Sequence, residues 1–395
     1  MKAVILCAGE GSRLRPLTKY KPKSLVKIFG KTILHHNIEL LGNHVEKIIV
    51  IAKYKSEKII EEVNKLNKIY SVKITVEIQG DKPGTAAAIS DLEISGDFIL
   101  INGDTIFSEQ DIVNIISLKN YGVLVKGVNN PEKYGIFRQE SNSNLALEII
   151  EKPEENVGNL ANLGVYKFNN KIIKFANEIE LSKRKEYEIT DAINLFIKEE
   201  KFELITAKND FIDITYPWDL LHANNKFLDL LNSIEVEGEI EEGATIKGRI
   251  ILGKNSIIKS GVYIEGNVII GENTVIGPNT YIRGGTSIGN NCKIGNAVEI
   301  KNSYIGDNTN VAHLSYIGDS VLGDNVNIGG GCITANLRHD GENLRALCKG
   351  KLIDTGLRKL GVIIGDNCKI GIHNSIYPAR TVEADSFTLP REIIK

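Results

Sequence analysis

Residues 270–300 read IGENTVIGPNTYIRGGTSIGNNCKIGNAVEI. An isoleucine stands at every sixth place, Ile270, Ile276, Ile282, Ile288, Ile294 and Ile300, with glycine, asparagine and threonine between. The register reaches back through Ile264, Ile258, Leu252 and Ile246 to Ile240, giving eleven successive aliphatic positions. A period of six fits neither an amphipathic helix, with its period of about 3.6, nor an ordinary strand, with its period of about 2. It fits a β-helix. One aliphatic side chain per hexad points into a prism, small residues take the corners, and stacked coils bury the column. After Ile300 the phase slips, then recovers as Val311 and Ile317, then Leu322 and Ile328. After an interruption it returns as Ile364, Ile370, Ile376 and Val382. Beyond Val382 the repeat reads as ending, so a short C-terminal end is expected.

Upstream the grammar changes. KAVILCA, KIIVIAK, VKITVEI, DFILING and GVLVKGV read as strands, while KTILHHNIELLGNH and SEKIIEEVNKLNK place apolar residues at helical spacing. Strands alternating with helices predict an α/β domain with a mainly parallel, Rossmann-like sheet. Ligands then bind at the carboxyl ends of its strands. The helical stretch PWDLLHANNKFLDLLNSI (217–234) closes this half. Two domains are expected, 1–230 and 236–395, as a chain of 395 residues is too long for one ordinary core.

A formal charge of -2 gives no broad electrostatic case for nucleic acid or an anionic membrane. The five cysteines, Cys7, Cys292, Cys332, Cys348 and Cys368, are scattered without a C-x-x-C pair. That argues against a disulfide framework or zinc knuckle and suits a reducing cytosol. The opening MKAVILCAGEG has six apolar residues before a glycine turn, a buried strand rather than a signal peptide. No run approaches the roughly 18 apolar residues that span a bilayer. A cytoplasmic protein is expected.

The loop after the first strand, LCAGEGSRLRPLTKYKPKSL (6–25), carries Arg13, Arg15, Lys21 and Lys23 beside closely spaced glycines. Such glycines let backbone N–H groups approach a phosphate chain, and the cations offset its charge. The loop has neither G-K-[ST] nor G-x-G-x-x-G, so it is not a P-loop or a dinucleotide fingerprint. A-G-x-G-x-R-L-x-P followed by P-K resembles the signature of sugar-1-phosphate nucleotidylyltransferases, and later motifs follow in the same order. The resemblance implies nucleotide binding by Gly9, Gly11, Gln79, Gly84 and Thr85, the last three around GDKPGTAAAI (80–89). Arg13 and Lys23 would neutralise the triphosphate. NGD (102–104) and FIDITYPWD (211–219) imply Mg²⁺ on Asp104 and Asp213, although Thr215 stands where the family usually has glycine. YGIF, EKP and ANLGVY imply a sugar-phosphate site of Gly135, Glu151, Lys152 and Asn162. The implied reaction joins a sugar-1-phosphate oxygen to the α-phosphorus of UTP or dTTP and releases pyrophosphate.

Likeness to other hexapeptide-repeat proteins implies a left-handed parallel β-helix of three hexads per coil, commonly a homotrimer. AHLSYIGD (312–319), DNVNIGGG (324–331) and TANLRHDG (334–341) carry polar residues that a bare repeat does not need. Together with RGG (283–285) and VEIKNS (298–303) they resemble the acetyltransferase half of bacterial N-acetylglucosamine-1-phosphate uridyltransferase. That resemblance implies His313 as general base, Tyr316 and Asn327 near the sugar and oxyanion, and Arg283 and Lys301 on the sugar phosphate. Asn336 would contact the amino sugar or thioester, with acetyl-CoA as co-substrate. A neutral imidazole can take a proton from an attacking amine. Cys332 reads as packing. The basic stretch 339–361 departs from the hexad, as a surface insertion or a holder of phosphates, and Arg345 is its candidate. Two alternatives stay open: a nucleotidylyltransferase with a structural trimerisation domain, and a non-catalytic subunit that binds nucleotide sugars.

Overall fold

The run AVILC at 3–7 is almost wholly buried, as a strand inside a parallel sheet must be. The computed structural model describes residues 1–395. In it β1 (Lys2–Cys7), β2 (Lys47–Ala52), β3 (Lys73–Ile78) and β4 (Phe98–Asn102) pair in parallel in the order β3-β2-β1-β4. β5 (Thr105–Ile106) follows β4 directly. Next come β6 (Tyr121–Gly127), β7 (Gly135–Gln139), β8 (Ala146–Glu151), β9 (Leu160–Phe168), β10 (Phe202–Thr206) and β11 (Ile212–Asp213). β9 runs antiparallel to β4, β6 and β7. β7 and β8 form an antiparallel hairpin, while β10 is parallel to β6. The predicted parallel sheet is therefore its first half, and the second half is mixed. A connection as short as that from Gln139 to Ala146 has no room for a crossover helix and must reverse direction.

The repeat folds as three parallel sheets of eight, seven and eight strands. Ile264 pairs with Ile282 and Ile282 with Ile300, so three hexads complete one coil. This is the geometry of the left-handed parallel β-helix. The first face includes Ile250–Leu252 and Val362–Ile364, the second Ile257–Ile258 and Asn327–Ile328, the third Tyr281–Arg283 and Tyr316–Gly318. The hexad aliphatics form one continuous core, joined by Cys292, Cys332 and Cys368. Asparagines 255, 273, 291, 308, 325 and 367 turn one corner with positive φ, a conformation asparagine tolerates better than most.

Two local features explain the irregular phase. Ile288 pairs with Ile305 and Ile305 with Leu322, so two successive coils are each one residue shorter than their predecessors. The interruption is an antiparallel hairpin, Arg345–Cys348 with Lys351–Asp354, inserted between third-face strand Ile333–Thr334 and first-face strand Val362–Ile364. One expectation is corrected: the coils do not stop at Val382. Lys369 bridges Phe387, and Ser375–Ile376 pairs with Ile393–Ile394. The hexad continues through Thr388, whose hydroxyl hydrogen-bonds buried Asn374. A polar inward residue hid this last coil from an aliphatic count.

Two compact units cut the chain differently from its sequence grammar. One comprises 1–10, 22–25 and 32–213; the other comprises 11–21, 26–31 and 214–395. In the second unit, helix Asp219–Asp229 lies by the outer surface of the first face. Phe29 stacks on Phe227 at 5.5 Å, and Leu228 and Leu231 cluster with Ile269.

Candidate active sites

The first candidate site lies in the first unit, where β4 ends. Asp104 follows Asn102 and Gly103, and β11 returns antiparallel to β5 with Asp213 opposite Thr105. This ladder sets the two carboxylates beside one cation: Lys23 Nζ lies 2.8 Å from Asp104 and 3.7 Å from Asp213. Lys23 is only 8% exposed, and burial close to two opposite charges keeps it aimed between them. The turn itself is tightly specified. A Cβ on Gly103 would meet Cys7 Sγ at 2.5 Å, and one on Gly164 would meet the Asn102 amide at 2.1 Å. Gly164, which also has positive φ, is a requirement the sequence reading missed. Cys7 is inert packing, its thiol pushed up to about 12 mainly by burial.

The implied base-recognition loop is held by its own chain. Gln79 Nε2 donates to the Lys82 and Gly84 carbonyls at 2.8 and 3.3 Å. A Cβ on Gly84 would strike the Tyr187 backbone at 2.3 Å. Thr85 Oγ1 accepts the Ile189 N–H at 3.0 Å, at the start of helix Ile189–Glu199. Gly84 and Thr85 thus have structural work in addition to their expected role, and Tyr187 is the partner that sequence did not disclose. Gly9 has open space around it, and Gly11 adopts positive φ.

The sugar-phosphate candidates meet across β7 and β8. Gly135 pairs with Glu151, and a Cβ there would approach the Glu151 carboxylate at 3.0 Å. Lys152 follows with positive φ, its N–H bonded to the Tyr134 carbonyl. Asn162 on β9 donates to the buried Tyr166 hydroxyl at 2.7 Å. Arg184 contacts Glu151 at 2.8 Å and Glu188 at 3.3 Å, a cation absent from the predicted set. Burial raises the Glu188 carboxyl above its ordinary range, against the opposing pull of Arg184.

The other loop cations behave differently. Arg13 packs with the second unit, its guanidinium over Tyr216 at 6.0 Å, and Tyr216 stacks on Trp218 at 4.6 Å. Asp219 Oδ2 accepts the Thr215 and Tyr216 N–H groups, so the substituted glycine position is still a closed turn. Lys21, counted with the phosphate cations from sequence, instead sits on Asp324 and Asp366.

The second candidate site lies on the third face of the prism. Arg283 and Lys301 stand in register on adjacent coils, as do Glu299 and Tyr316. Asp319, which sequence reasoning missed inside an ordinary-looking I-G-D, joins the group. Its side chain is 5% exposed and accepts from Lys301 at 3.4 Å, Asn302 at 2.8 Å and Asn336 at 2.6 Å. Asn336 also donates to the Tyr316 hydroxyl at 3.2 Å. Burial and the Asp319 charge raise the Tyr316 phenol, keeping it a neutral donor. Gly318 leaves the space that the Tyr316 ring fills, since a Cβ there would meet its oxygen at 2.3 Å.

His313 stands exposed at the corner between second and third faces. Its carbonyl, not its ring, is fixed, accepting from Ser315 Oγ and Gly331 N–H. Leu314 beside it is held at φ 49° and lies 64% exposed. The third-face cluster therefore contains Arg283, Lys301, Tyr316 and Asn336. Asn327 lies exposed on the second face, between Asn310 and Lys369, and Arg345 lies exposed on the hairpin. Neither joins the cluster within one chain. Cys332 is fully buried with its thiol raised by burial, a core residue.

A Rossmann-like sheet with paired carboxylates, followed by a hexad prism with its own polar cluster, defines a transferase with two separate candidate centres. The profile of the nucleotidyl transferase family matches residues 2–229, and that of the GMPPB C-terminal domain matches 264–346. The bifunctional protein GlmU of Methanocaldococcus jannaschii is 43% identical over 96% of this chain and 91% of its own length. A bifunctional sugar-1-phosphate nucleotidylyltransferase/acetyltransferase of Sulfurisphaera tokodaii is 39% identical over 100% and 97%. A crystal structure of a candidate glucose-1-phosphate thymidylyltransferase from Bacillus anthracis, in complex with sucrose, matches 59% of this chain and 96% of its own. Its TM-score is 0.52, at 26% identity. The chain belongs to the nucleotidyl transferase family and, along its whole length, to the family of bifunctional GlmU-type nucleotidylyltransferase/acetyltransferases.

Proposed function

We propose that this enzyme N-acetylates an amino-sugar 1-phosphate from acetyl-CoA and then transfers a uridylyl or thymidylyl group to the product. The observation that carries this reading is the coexistence of two polar centres: Lys23 between Asp104 and Asp213, and the Asp319-ordered cluster on the third face. The third-face cluster favours catalysis over a purely structural trimerisation domain. The retained carboxylate pair favours an enzyme over a binding-only subunit.

For nucleotidyl transfer, two hard oxygen donors beside one cation fit a divalent metal such as Mg²⁺, held by Asp104 and Asp213. When bound, that ion supplies charge neutralisation at the α-phosphate. The chain's own residues do the rest. Gly9, Gly11, Arg13 and Lys23 bind the triphosphate, and Gln79, Gly84 and Thr85 seat a pyrimidine. Gly135, Glu151, Lys152 and Asn162 hold the sugar phosphate in line. A phosphate oxygen of the sugar forms the new O–P bond as pyrophosphate departs, so alignment and charge carry catalysis.

For acetyl transfer, Arg283 and Lys301 grip the phosphate and Asn336 orients the amino sugar. The amine nitrogen forms a bond to the thioester carbonyl carbon, the C–S bond breaks, and a His313 ring nitrogen takes the amine proton. Tyr316 donates toward the developing oxyanion. Asn327 and Arg345 would reach such a site only from another copy, which suits a homotrimer. The five free cysteines suit the cytoplasm. Asp104→Asn should abolish pyrophosphate release while sparing acetyl-CoA-dependent thiol release, and His313→Ala should do the reverse. Unimpaired acetylation by His313→Ala would remove it as the base.

A further inference from the structure

Aspartates repeat at one corner of the prism, and lysines from the signature loop answer them. Asp307, Asp324 and Asp366 follow Ile305-Gly306, Leu322-Gly323 and Ile364-Gly365, residues stacked in register. Each carboxylate divides its two oxygens. Oδ1 of Asp366 accepts the Asp324 N–H at 2.8 Å, Oδ1 of Asp324 accepts the Asp307 N–H at 2.9 Å, and Oδ1 of Asp307 accepts the Asn290 N–H at 2.9 Å. Oδ2 is thereby turned outward. Lys27 takes that of Asp307, and Lys21 takes that of Asp324 with Asp366 at 3.7 Å. One coil further, Asp385 receives Lys19 at 2.6 Å and the Tyr20 hydroxyl.

Lys21 is the centre of this ladder. Its side chain is 18% exposed and faces two carboxylates, one of them only 6% exposed. Burial works against its charge, but Asp324 and Asp366 outweigh it and hold Lys21 above the usual lysine range. A buried ion pair adds little net stability over an apolar contact, yet it admits few geometries. The loop it anchors is otherwise compact. Leu14, Leu17 and Thr18 are buried, and Thr18 Oγ1 donates to the Gly11 carbonyl at 2.9 Å. Gly365 abuts Pro16 so closely that a Cβ would lie 2.8 Å from its ring.

We propose that Lys21 is a positioning residue for nucleotidyl transfer, seated on Asp324 and Asp366 so that segment 11–21 presents Gly11 and Arg13 to the triphosphate. The inference rests on the nucleotidyl-transfer reading of the first site.

The test uses full-length Lys21→Met, Lys21→Arg and the double variant Asp324→Asn/Asp366→Asn. Pyrophosphate release is measured with UTP and dTTP against sugar-1-phosphates, and thiol release from acetyl-CoA with glucosamine 1-phosphate. Lys21→Met and the double variant should lose about tenfold or more in kcat/KM for the nucleotide, mostly through KM. Lys21→Arg should stay within about threefold, acetyl transfer should be unchanged, and amide exchange in segment 11–21 should quicken. Folded Lys21→Met with wild-type nucleotide KM and unchanged exchange would overturn the proposal. So would an equal loss of both activities that Lys21→Arg does not rescue. If wild-type protein releases no pyrophosphate while acetylating normally, the nucleotidyl reading has failed and the inference falls with it.

Discussion

Single charges order both centres. Lys23 lies between Asp104 and Asp213, while Asp319 gathers Lys301, Asn302 and Asn336. In Asp319→Asn the amide could no longer accept from all three, and Lys301 would lose its counter-charge. Acetyl transfer should fall about 10- to 100-fold in kcat/KM with nucleotidyl transfer unchanged, and stability by about 1–3 kcal/mol. Parallel assays of the two reactions and a denaturation curve check this; unchanged acetyl transfer would remove Asp319 from the cluster's function. His313 and Tyr316 stand out in the sequence because they interrupt a monotonous repeat. Asp319 does not, because I-G-D is also how that repeat turns a corner. Gly164 was hidden for a related reason: its constraint is an asparagine amide from another strand, and no local pattern records that.

At the level of elements, periodicity did most of the prediction. A hexad column is determined by burial, so the prism could be read almost coil by coil, and the parallel strands by their unbroken apolar runs. Thr388 escaped because its inward hydroxyl is satisfied by Asn374, which an aliphatic count cannot anticipate. Reversal of the sheet beyond β4 escaped because strand direction is set by connections, not by strand composition. The corners offer a direct test. At successive coils one corner carries Gly261, Asn279, Ala297, Leu314 and Gly331, all with positive φ. Leucine is costly there, by roughly 1–2 kcal/mol against an unstrained backbone, whereas asparagine tolerates it. Leu314→Asn should therefore raise stability by about 0.5–1 kcal/mol in thermal or chemical unfolding. A loss of stability would mean that the exposed leucine is supported by contacts with another molecule.

For the whole molecule, sequence grammar divided the chain at about 230, whereas packing assigns 11–21, 26–31 and 214–395 together. Such an exchange of segments is invisible to composition, because Lys21 looks like any phosphate-binding lysine until its carboxylates are seen. It also leaves a thermodynamic signature. Burial raises the Asp366 carboxyl to about 6, with Lys21 pulling it down and Asp324 pushing it up. An unfolded aspartate titrates near about 3.9, so between about 4 and 6 the native state binds more protons. This group's contribution to stability therefore decreases as pH rises through that window. Asp366→Asn should remove that slope: its melting temperature should gain on wild type from about pH 4 to 6 and then level off. Parallel curves across the range would contradict the assignment.

The same exchange of segments bears on the order in which the protein is made. Lys21 is synthesised 303 residues before Asp324, and Lys19 366 residues before Asp385. At 5–20 residues per second, a ribosome needs roughly 20–70 s to deliver the latter partner. A nascent chain can complete its first sheet during that interval, but its signature loop has no carboxylates to rest upon. Full nucleotide affinity would then wait until Asp324, Asp366 and Asp385 have emerged, a timing written into the chain by the distance between its ionic partners.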